Sequence, residues 1–125
     1  MKIFLLILVD QIFKFLALRW KLALVNKGIA FGLFSPIKSF FIFLFLFLLI
    51  LLLFSIYYFK KHHFKYVNGL KLILAGGLSN LLDRIIYKGV IDYFHLPLIP
   101  NFNLADLVIT LGFILLLKNI ILKKN

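Results

Sequence analysis

Long apolar runs, separated by short basic or polar segments, make up most of the chain. The clearest run, Ser39–Phe59, contains no charged residue and is dominated by Phe, Leu and Ile. A helix needs roughly 20 such residues to cross about 30 Å of hydrocarbon. Three further runs are similar, although each holds charged residues: Ile3–Leu18, about Val67–Tyr87 and about Leu104–Leu122. The pattern predicts an all-α integral membrane protein, a single domain over residues 1–125 with four transmembrane helices.

The first run partly resembles a secretory signal peptide, in which Lys2 would be the basic start and Ile3–Val9 the apolar core. Asp10 and Lys14 lie inside the run, however, and no small-x-small cleavage site follows it. We therefore interpret it as the first membrane helix, which puts both chain ends on the same side of the membrane.

The composition agrees with lipid as the solvent. Hydrophobic residues make up 64% of the chain and the mean hydropathy is +1.10, whereas a soluble domain is usually about 45–50% apolar. The absence of cysteine excludes disulfides and thiolate metal sites. The net charge of +11 comes mostly from basic residues between the apolar runs, which favours anionic lipid headgroups over nucleic acid as partners. Their slight excess on the side of the termini predicts cytoplasmic termini.

The acidic residues are few and lie in or beside the apolar runs. They are Asp10, Asp83, Asp92 and Asp106, and the chain has no Glu. Because an ionisable group inside a membrane is costly, each of these residues is a functional candidate.

Asp10 and Lys14 are four residues apart, in the order that favours an ion pair on one helix face. We interpret them as a structural pair that holds the first helix against its neighbours. In the third run, Asn80, Asp83 and Arg84 share one face with a glycine. A polar stripe beside glycines indicates a face that packs against protein and not lipid. It either joins the helices or forms a hydrogen-bonding shell around a nearby site, and both readings stay open.

Asp92 and Asp106 flank a connection that contains Pro97 and Pro100. Such a loop can fold back and bring two carboxyl groups together, of which one stays protonated and the other acts as a base, as in aspartic proteases. Asp106 also lies three residues after Asn103, as in a helix capping box, so a capping role is equally compatible with the sequence. The helix N-terminus favours the ionised form of Asp106.

The histidines suggest no metal site. We expect His62 and His63 to be loop residues, and His95 to lie at the membrane interface or to influence Asp92. The sequence contains no metal-ligand spacing and no nucleotide-binding loop.

Four segments together resemble the lipoprotein signal peptidase (signal peptidase II) family, in the family's order. They are Asp10-Gln11-Ile12-Phe13-Lys14, Asn26-Lys27-Gly28-Ile29-Ala30-Phe31-Gly32, Gly76 to Arg84 followed by Val90-Ile91-Asp92-Tyr93, and Phe102-Asn103-Leu104-Ala105-Asp106. The third resembles the family pattern Gly-Gly…Gly-Asn-x-x-Asp-Arg…Val-x-Asp-Phe.

The resemblance implies an intramembrane aspartic endopeptidase that removes the signal peptide of diacylglyceryl-modified prolipoproteins, cutting before the lipidated cysteine. It implies Asp92 and Asp106 as the catalytic pair. The substrate-binding residues that it implies are Asn26, Gly28, Asn80, Arg84 and Asn103. The structural polar residues that it implies are Asp10, Lys14 and Asp83. We expect no cofactor and no metal, prolipoproteins and membrane lipids as partners, no nucleic acid, and a monomer. The expected location is the bacterial inner membrane, with the active site near its outer face.

The chain departs from the family pattern at several places. Ser79 stands where glycine is common, and the segments from Lys14 to Asn26 and from Asp92 to Asn103 are short. We expect the family's extracytoplasmic β-cradle to be reduced to little more than Arg19–Phe34.

Two other functions remain open from the residues alone. One is a non-catalytic small membrane protein, and the other is a proton-coupled carrier that uses Asp10 or Asp83 as a relay. A carrier needs its carboxyl groups near the membrane midplane, whereas the peptidase needs a pair near the outer surface.

Overall fold

Helices form most of the protein. The structure is a computed structural model that describes residues 2–27, 38–62 and 64–123. The helices in these ranges are α1 (Ile3–Arg19), α2 (Lys38–His62), α3 (Val67–Tyr87) and α4 (Leu104–Lys123), with a short 3-10 turn at Phe64–Tyr66. Their positions confirm that the four predicted apolar runs are helical, and the bounds of α3 are those predicted.

A small antiparallel sheet departs from the all-α prediction. Strands β1 (Leu24–Asn26) and β2 (Val90–Asp92) pair so that Leu24 lies opposite Asp92 and Asn26 opposite Val90. Gly89 permits the pairing, because a Cβ atom there would lie 2.6 Å from the carbonyl oxygen of Asn26. Strands this short carry no alternating pattern that the sequence could reveal. The sheet places the segment after α1 beside Asp92.

Helices α3 and α4 form the closest helix pair of the described fold through small residues. A Cβ atom on Gly76 would lie 2.5 Å from the carbonyl oxygen of Ala105, and one on Gly69 would lie 2.8 Å from that of Gly112. Backbones approach this closely only where side chains are small. The glycine-bearing face of α3 therefore packs against protein, as its sequence indicated.

The outer surface of the helices is apolar. In the described residues, Leu104–Leu122 is long and apolar enough to cross a membrane, with a mean hydropathy of 2.1 and only 11% of its most apolar window buried. Exposed apolar side chains also cover α1, among them Phe4, Phe13 and Phe15. A surface of this kind favours lipid over water as the surrounding medium.

A hairpin joins β2 to α4. The backbone N–H groups of Tyr93 and Phe94 both donate to the carbonyl oxygen of Phe102, and Phe102 donates back to Phe94 at 3.2 Å. The connection between Asp92 and Asp106 thus folds back on itself, as its prolines suggested, and α4 begins close to the end of β2.

Candidate active site

Asp106 lies in the first turn of α4 and forms a capping box with Asn103. The side-chain oxygen of Asn103 accepts the N–H of Asp106 at 2.9 Å, and Oδ2 of Asp106 accepts the N–H of Asn103 at 3.1 Å. The other oxygen, Oδ1, accepts a hydrogen bond from Nδ2 of Asn80 at 2.9 Å. The predicted cap is therefore present, and it leaves the carboxylate facing the neighbouring helix.

Two further backbone N–H groups of this turn are bound by side chains from distant segments. The N–H of Leu104 donates to the hydroxyl of Tyr93, and the N–H of Ala105 donates to Oδ1 of Asp10, each at 3.1 Å. Helix N-termini require such acceptors because their first N–H groups have no partner within the helix. Asp10 therefore joins α1 to the start of the helix that carries Asp106, and its negative charge suits that helix end.

Asp92, at the end of β2, is buried and lies beside the same residue, Asn103. Nδ2 of Asn103 donates to Oδ1 of Asp92 at 3.2 Å, and Nδ2 of Asn26 makes a long contact of 3.5 Å with Oδ2. Asn103 thus binds one aspartate through its side-chain amide and the other through its backbone. The two candidate catalytic aspartates come together around Asn103.

The environment of Asp92 favours its protonated form. Burial, and next the negative charge of Asp106, raise the pKa of Asp92 from 3.8 to about 6, against the opposing effects of Asn26 and Lys14. Asp106, in contrast, accepts N–H donors at both of its oxygens, from Asn80 and from Asn103. The two carboxyl groups therefore lie in different surroundings, and that of Asp92 has the raised pKa.

The side-chain amide of Asn80 has a fixed orientation. Its oxygen accepts hydrogen bonds from Nζ of Lys14 and from Nδ2 of Asn103, each at 3.0 Å. Because an ammonium group only donates, the oxygen must face Lys14 and the NH₂ group must face Asp106. Lys14 thereby determines which group Asn80 presents to the candidate dyad.

Lys14 is also the centre of a buried ionic cluster. Its Nζ atom lies 2.6 Å from Asp10 and 2.7 Å from Asp83, and all three side chains are at most 2% exposed. The predicted Asp10–Lys14 pair is confirmed, and the partner that Asp83 required is the same lysine. Asp83 further accepts hydrogen bonds from Gln11 and from the N–H of Ile91, which ties β2 to α3.

Sequence reasoning missed three members of this cluster: Gln11, Ser79 and Tyr93. The hydroxyl of Ser79 donates to Oδ2 of Asp10 at 2.5 Å, and that of Tyr93 donates to Oδ1 at 3.2 Å. The amide of Gln11 donates to Ser79 and to Asp83. Ser79 and Tyr93 stand where the family pattern quoted above has Gly and Phe, so each adds a hydroxyl group that the pattern lacks.

The remaining site predictions have different outcomes. Arg84 donates to the carbonyl oxygen of Asn80 at 3.3 Å and lies 5.1 Å from the centre of the Phe45 ring. Gly28 lies outside the described residues. His95 is exposed, and its Nε2 atom lies 3.0 Å from the carbonyl oxygen of Leu22. In the described ranges, no three His, Cys, Asp or Glu side chains group so that they could hold a metal ion.

A sequence model of the family described as signal peptidase (SPase) II matches residues 2–122. The lipoprotein signal peptidase of Thermodesulfovibrio yellowstonii is 37% identical, and the match covers 90% of this chain and 87% of that protein. Those of Caldicellulosiruptor bescii and Chlamydia trachomatis are 37% and 38% identical over 80% of this chain. The matches span 65% and 63% of these two longer relatives.

Two solved structures, both of bacterial membrane enzymes studied by the in meso method, share the fold. One has a TM-score of 0.79 at 24% identity and covers 94% of this chain and 88% of its own. The other has a TM-score of 0.78 at 22% identity and covers 98% and 87%. Together with the family match over nearly the whole sequence, these similarities show that the chain belongs to the signal peptidase II family of bacterial membrane proteases.

Proposed function

We propose that this protein is an aspartic endopeptidase that removes the signal peptide from diacylglyceryl-modified prolipoproteins, cutting before the lipidated cysteine. Asp92 and Asp106 form its catalytic pair, within one domain over residues 1–125. The observation that carries the proposal is the convergence of both carboxyl groups on Asn103, where the pKa of Asp92 is raised by burial and by the neighbouring Asp106.

In this mechanism, ionised Asp106 takes a proton from a water molecule whose oxygen attacks the scissile carbonyl carbon. Protonated Asp92 donates a hydrogen bond to the carbonyl oxygen and stabilises the negative charge that develops there. The tetrahedral intermediate collapses when the peptide C–N bond breaks and the proton on Asp106 passes to the leaving nitrogen. Asn80 and Asn103 hold the carboxylate of Asp106 in place throughout.

Substrate contacts are assigned to residues around this pair. Asn26 lies on the neighbouring strand and contacts Asp92; Gly28 is assigned from the family pattern alone. Arg84 is only partly buried and lies one helical turn from Asn80, which suits it to bind polar groups of the peptide backbone or of the lipid-linked residue. Asn80 and Asn103 complete the set.

The arrangement of the remaining carboxyl groups does not favour a proton-coupled carrier. Asp10 and Asp83 are 2% and 0% exposed. Each is paired with Lys14 and also accepts hydrogen bonds from other donors. A relay group must exchange its proton with a water-filled path. Because Asp10 and Asp83 are buried and already bound by protein donors, they have little access to such a path.

The direct test is cleavage of a lipidated prolipoprotein reporter by the purified protein in detergent or lipid. We expect cleavage before the lipidated cysteine, and a reporter with an unmodified cysteine serves as the matched control. EDTA should leave the rate unchanged, because the proposed chemistry needs only two carboxyl groups and water. Absence of cleavage, or loss in EDTA that zinc restores, would contradict the aspartic mechanism.

The proposed topology has four membrane spans in the inner membrane, with both termini in the cytoplasm and the dyad near the outer face. His62, at the end of α2, and His95, in the hairpin, then lie on opposite sides. Because the chain has no native cysteine, single His62→Cys and His95→Cys variants can be labelled in intact cells with an impermeant thiol reagent. Only the His95→Cys protein should react; labelling of His62→Cys alone would reverse the orientation.

The proton on Asp92 predicts a specific pH dependence. We expect kcat/KM to fall as the pH rises through the pKa of Asp92, about 6, because protonated Asp92 is then lost. Asn26→Ala removes a contact that lowers this pKa, so the falling limb should move to higher pH. A rate that instead rises through the same pH range would make Asp92 the base.

A further inference from the structure

The hairpin between β2 and α4 ends in an exposed apolar tip. At its base, Phe94 and Phe102 form an antiparallel bridge, and the centres of their rings lie 5.1 Å apart. Beyond this base, the side chains of Leu96, Leu98 and Ile99 are exposed, that of Leu98 completely. The tip thus projects from a fixed base and carries apolar side chains.

The backbone of Leu98 also has an unusual conformation. Its φ angle is 64°, in the left-handed region that glycine adopts freely and that a Cβ atom disfavours. The sequence therefore has a bulky apolar residue at a position where a small flexible one would relieve strain and would avoid exposing hydrocarbon. The exposed hydrocarbon fits a tip that lies in an apolar medium.

A second apolar segment lies beside the tip. Trp20, Leu22 and Leu24 follow α1 at alternate positions, and all three are exposed. The ring of His95, within the hairpin, reaches the carbonyl oxygen of Leu22 at 3.0 Å. We call the combined surface of the two segments the rim surface; its members are Trp20, Leu22, Leu96, Leu98 and Ile99.

The charges around the rim surface are basic. Arg19, Lys21 and Lys27 are exposed in the same segment as Trp20 and Leu22. Of the four aspartates of the chain, Asp92 adjoins this region, opposite Leu24 in the sheet, but it is buried. None of the four is an exposed residue. Exposed cations beside Trp and Leu are the combination that binds the boundary between anionic headgroups and acyl chains.

We propose that the rim surface inserts into the headgroup and acyl boundary of an anionic phospholipid leaflet, on the membrane side where the candidate site lies. The exposed apolar surface of α1, including Phe15 and Leu16, leads directly to Trp20, so the rim surface continues a helix face that already favours lipid. The insertion does not depend on the proposed peptidase activity. It would hold the hairpin that joins Asp92 to Asn103 at a fixed depth.

The single tryptophan of the chain, Trp20, is a native probe of this insertion. The full-length protein is reconstituted in phosphatidylcholine–phosphatidylglycerol vesicles whose acyl chains carry bromine close to the headgroup. We expect these lipids to quench most of the Trp20 fluorescence and aqueous iodide to quench little of it. The double variant Trp20→Phe with Leu98→Trp should give the same result at the tip.

Leu98→Gly separates insertion from folding, because it relieves the left-handed strain while removing the apolar side chain. This variant should melt at no lower temperature than the parent in detergent, and quenching of Trp20 by the brominated lipid should fall. Strong iodide quenching with no effect of bromine would overturn the proposal. So would fluorescence that depends on protein density and not on bromine, since that result indicates a second copy of the chain on the rim surface. Neither readout measures cleavage, so both outcomes leave the proposed function untouched.

Discussion

Exchanging Asp106 for asparagine should abolish cleavage, with kcat falling by at least about 10²–10⁴-fold, the range associated with a lost general acid or base. The substituted amide would keep the size of the side chain and one oxygen acceptor, so the cap with Asn103 should be weakened and not lost. The carboxylate that takes the proton from water would be gone. Turnover of a lipidated reporter per folded molecule is the measurement.

The companion change Asp92→Asn should be equally inactive, with a different effect on stability. Because the pKa of Asp92 is raised to about 6, its contribution to stability is complete below the ordinary pKa of 3.8 and is lost as the pH rises through about 6. The neutral amide cannot ionise. Asp92→Asn should therefore remove this loss of stability, and the melting temperature should depend less on pH between 3.8 and about 6.

Asn119→Ala provides a control on the same helix. Asn119 lies near the other end of α4, where it donates to the carbonyl oxygen of Lys65. This variant should cleave normally even if it is slightly less stable. If either aspartate variant retained near-normal turnover while Asn119→Ala behaved as expected, the proposed dyad would be wrong.

The helices of this fold were predictable because their physical signal is strong. Uncharged or weakly charged apolar runs mark α2, α3 and α4 in the sequence, and the glycines of α3 indicated a face that packs against protein. The pair Asp10–Lys14 was also predictable, since its spacing places both charges on one helix face and apolar surroundings leave each charge in need of a partner.

Long-range pairing was not predictable in the same way. The sheet of β1 and β2 joins segments that lie far apart in the chain, and three-residue strands have no recognisable period. Lys14 binds Asp10, Asp83 and Asn80 at the same time because of the position of α1 relative to α3. The capping of Ala105 by Asp10 likewise depends on where α4 begins, and the sequence near either residue carries no signal of the other.

Asp10→Ala should strongly destabilise the protein. It removes one carboxylate from Lys14 and also leaves three donors without their acceptor: Ser79, Tyr93 and the N–H of Ala105. Breaking a buried ion pair from one side typically costs about 3–5 kcal/mol. We expect a clearly lower melting temperature and a lower yield of folded protein.

The double change Asp10→Ala with Lys14→Ala distinguishes a simple pair from a cluster. For an isolated pair, removing both partners restores part of the lost stability, because no charge remains uncompensated. Lys14 also binds Asp83 at 2.7 Å and the side-chain oxygen of Asn80, so the double variant leaves a second buried carboxylate without its cation. Its melting temperature should be no higher than that of Asp10→Ala. A substantial recovery would mean that Asp83 does not need Lys14.

The activity of the surviving Asp10→Ala protein completes the test. Asn103 and Asp106 still cap each other in this variant, and Lys14 still orients the amide of Asn80 towards Asp106. The carboxyl pair therefore keeps its immediate contacts, and cleavage per folded molecule should remain close to that of the parent. The measurement requires melting temperature and specific activity on the same preparation. A variant that is fully stable yet inactive would place Asp10 in the catalytic machinery and contradict the separation between a buried structural cluster and a two-aspartate active site.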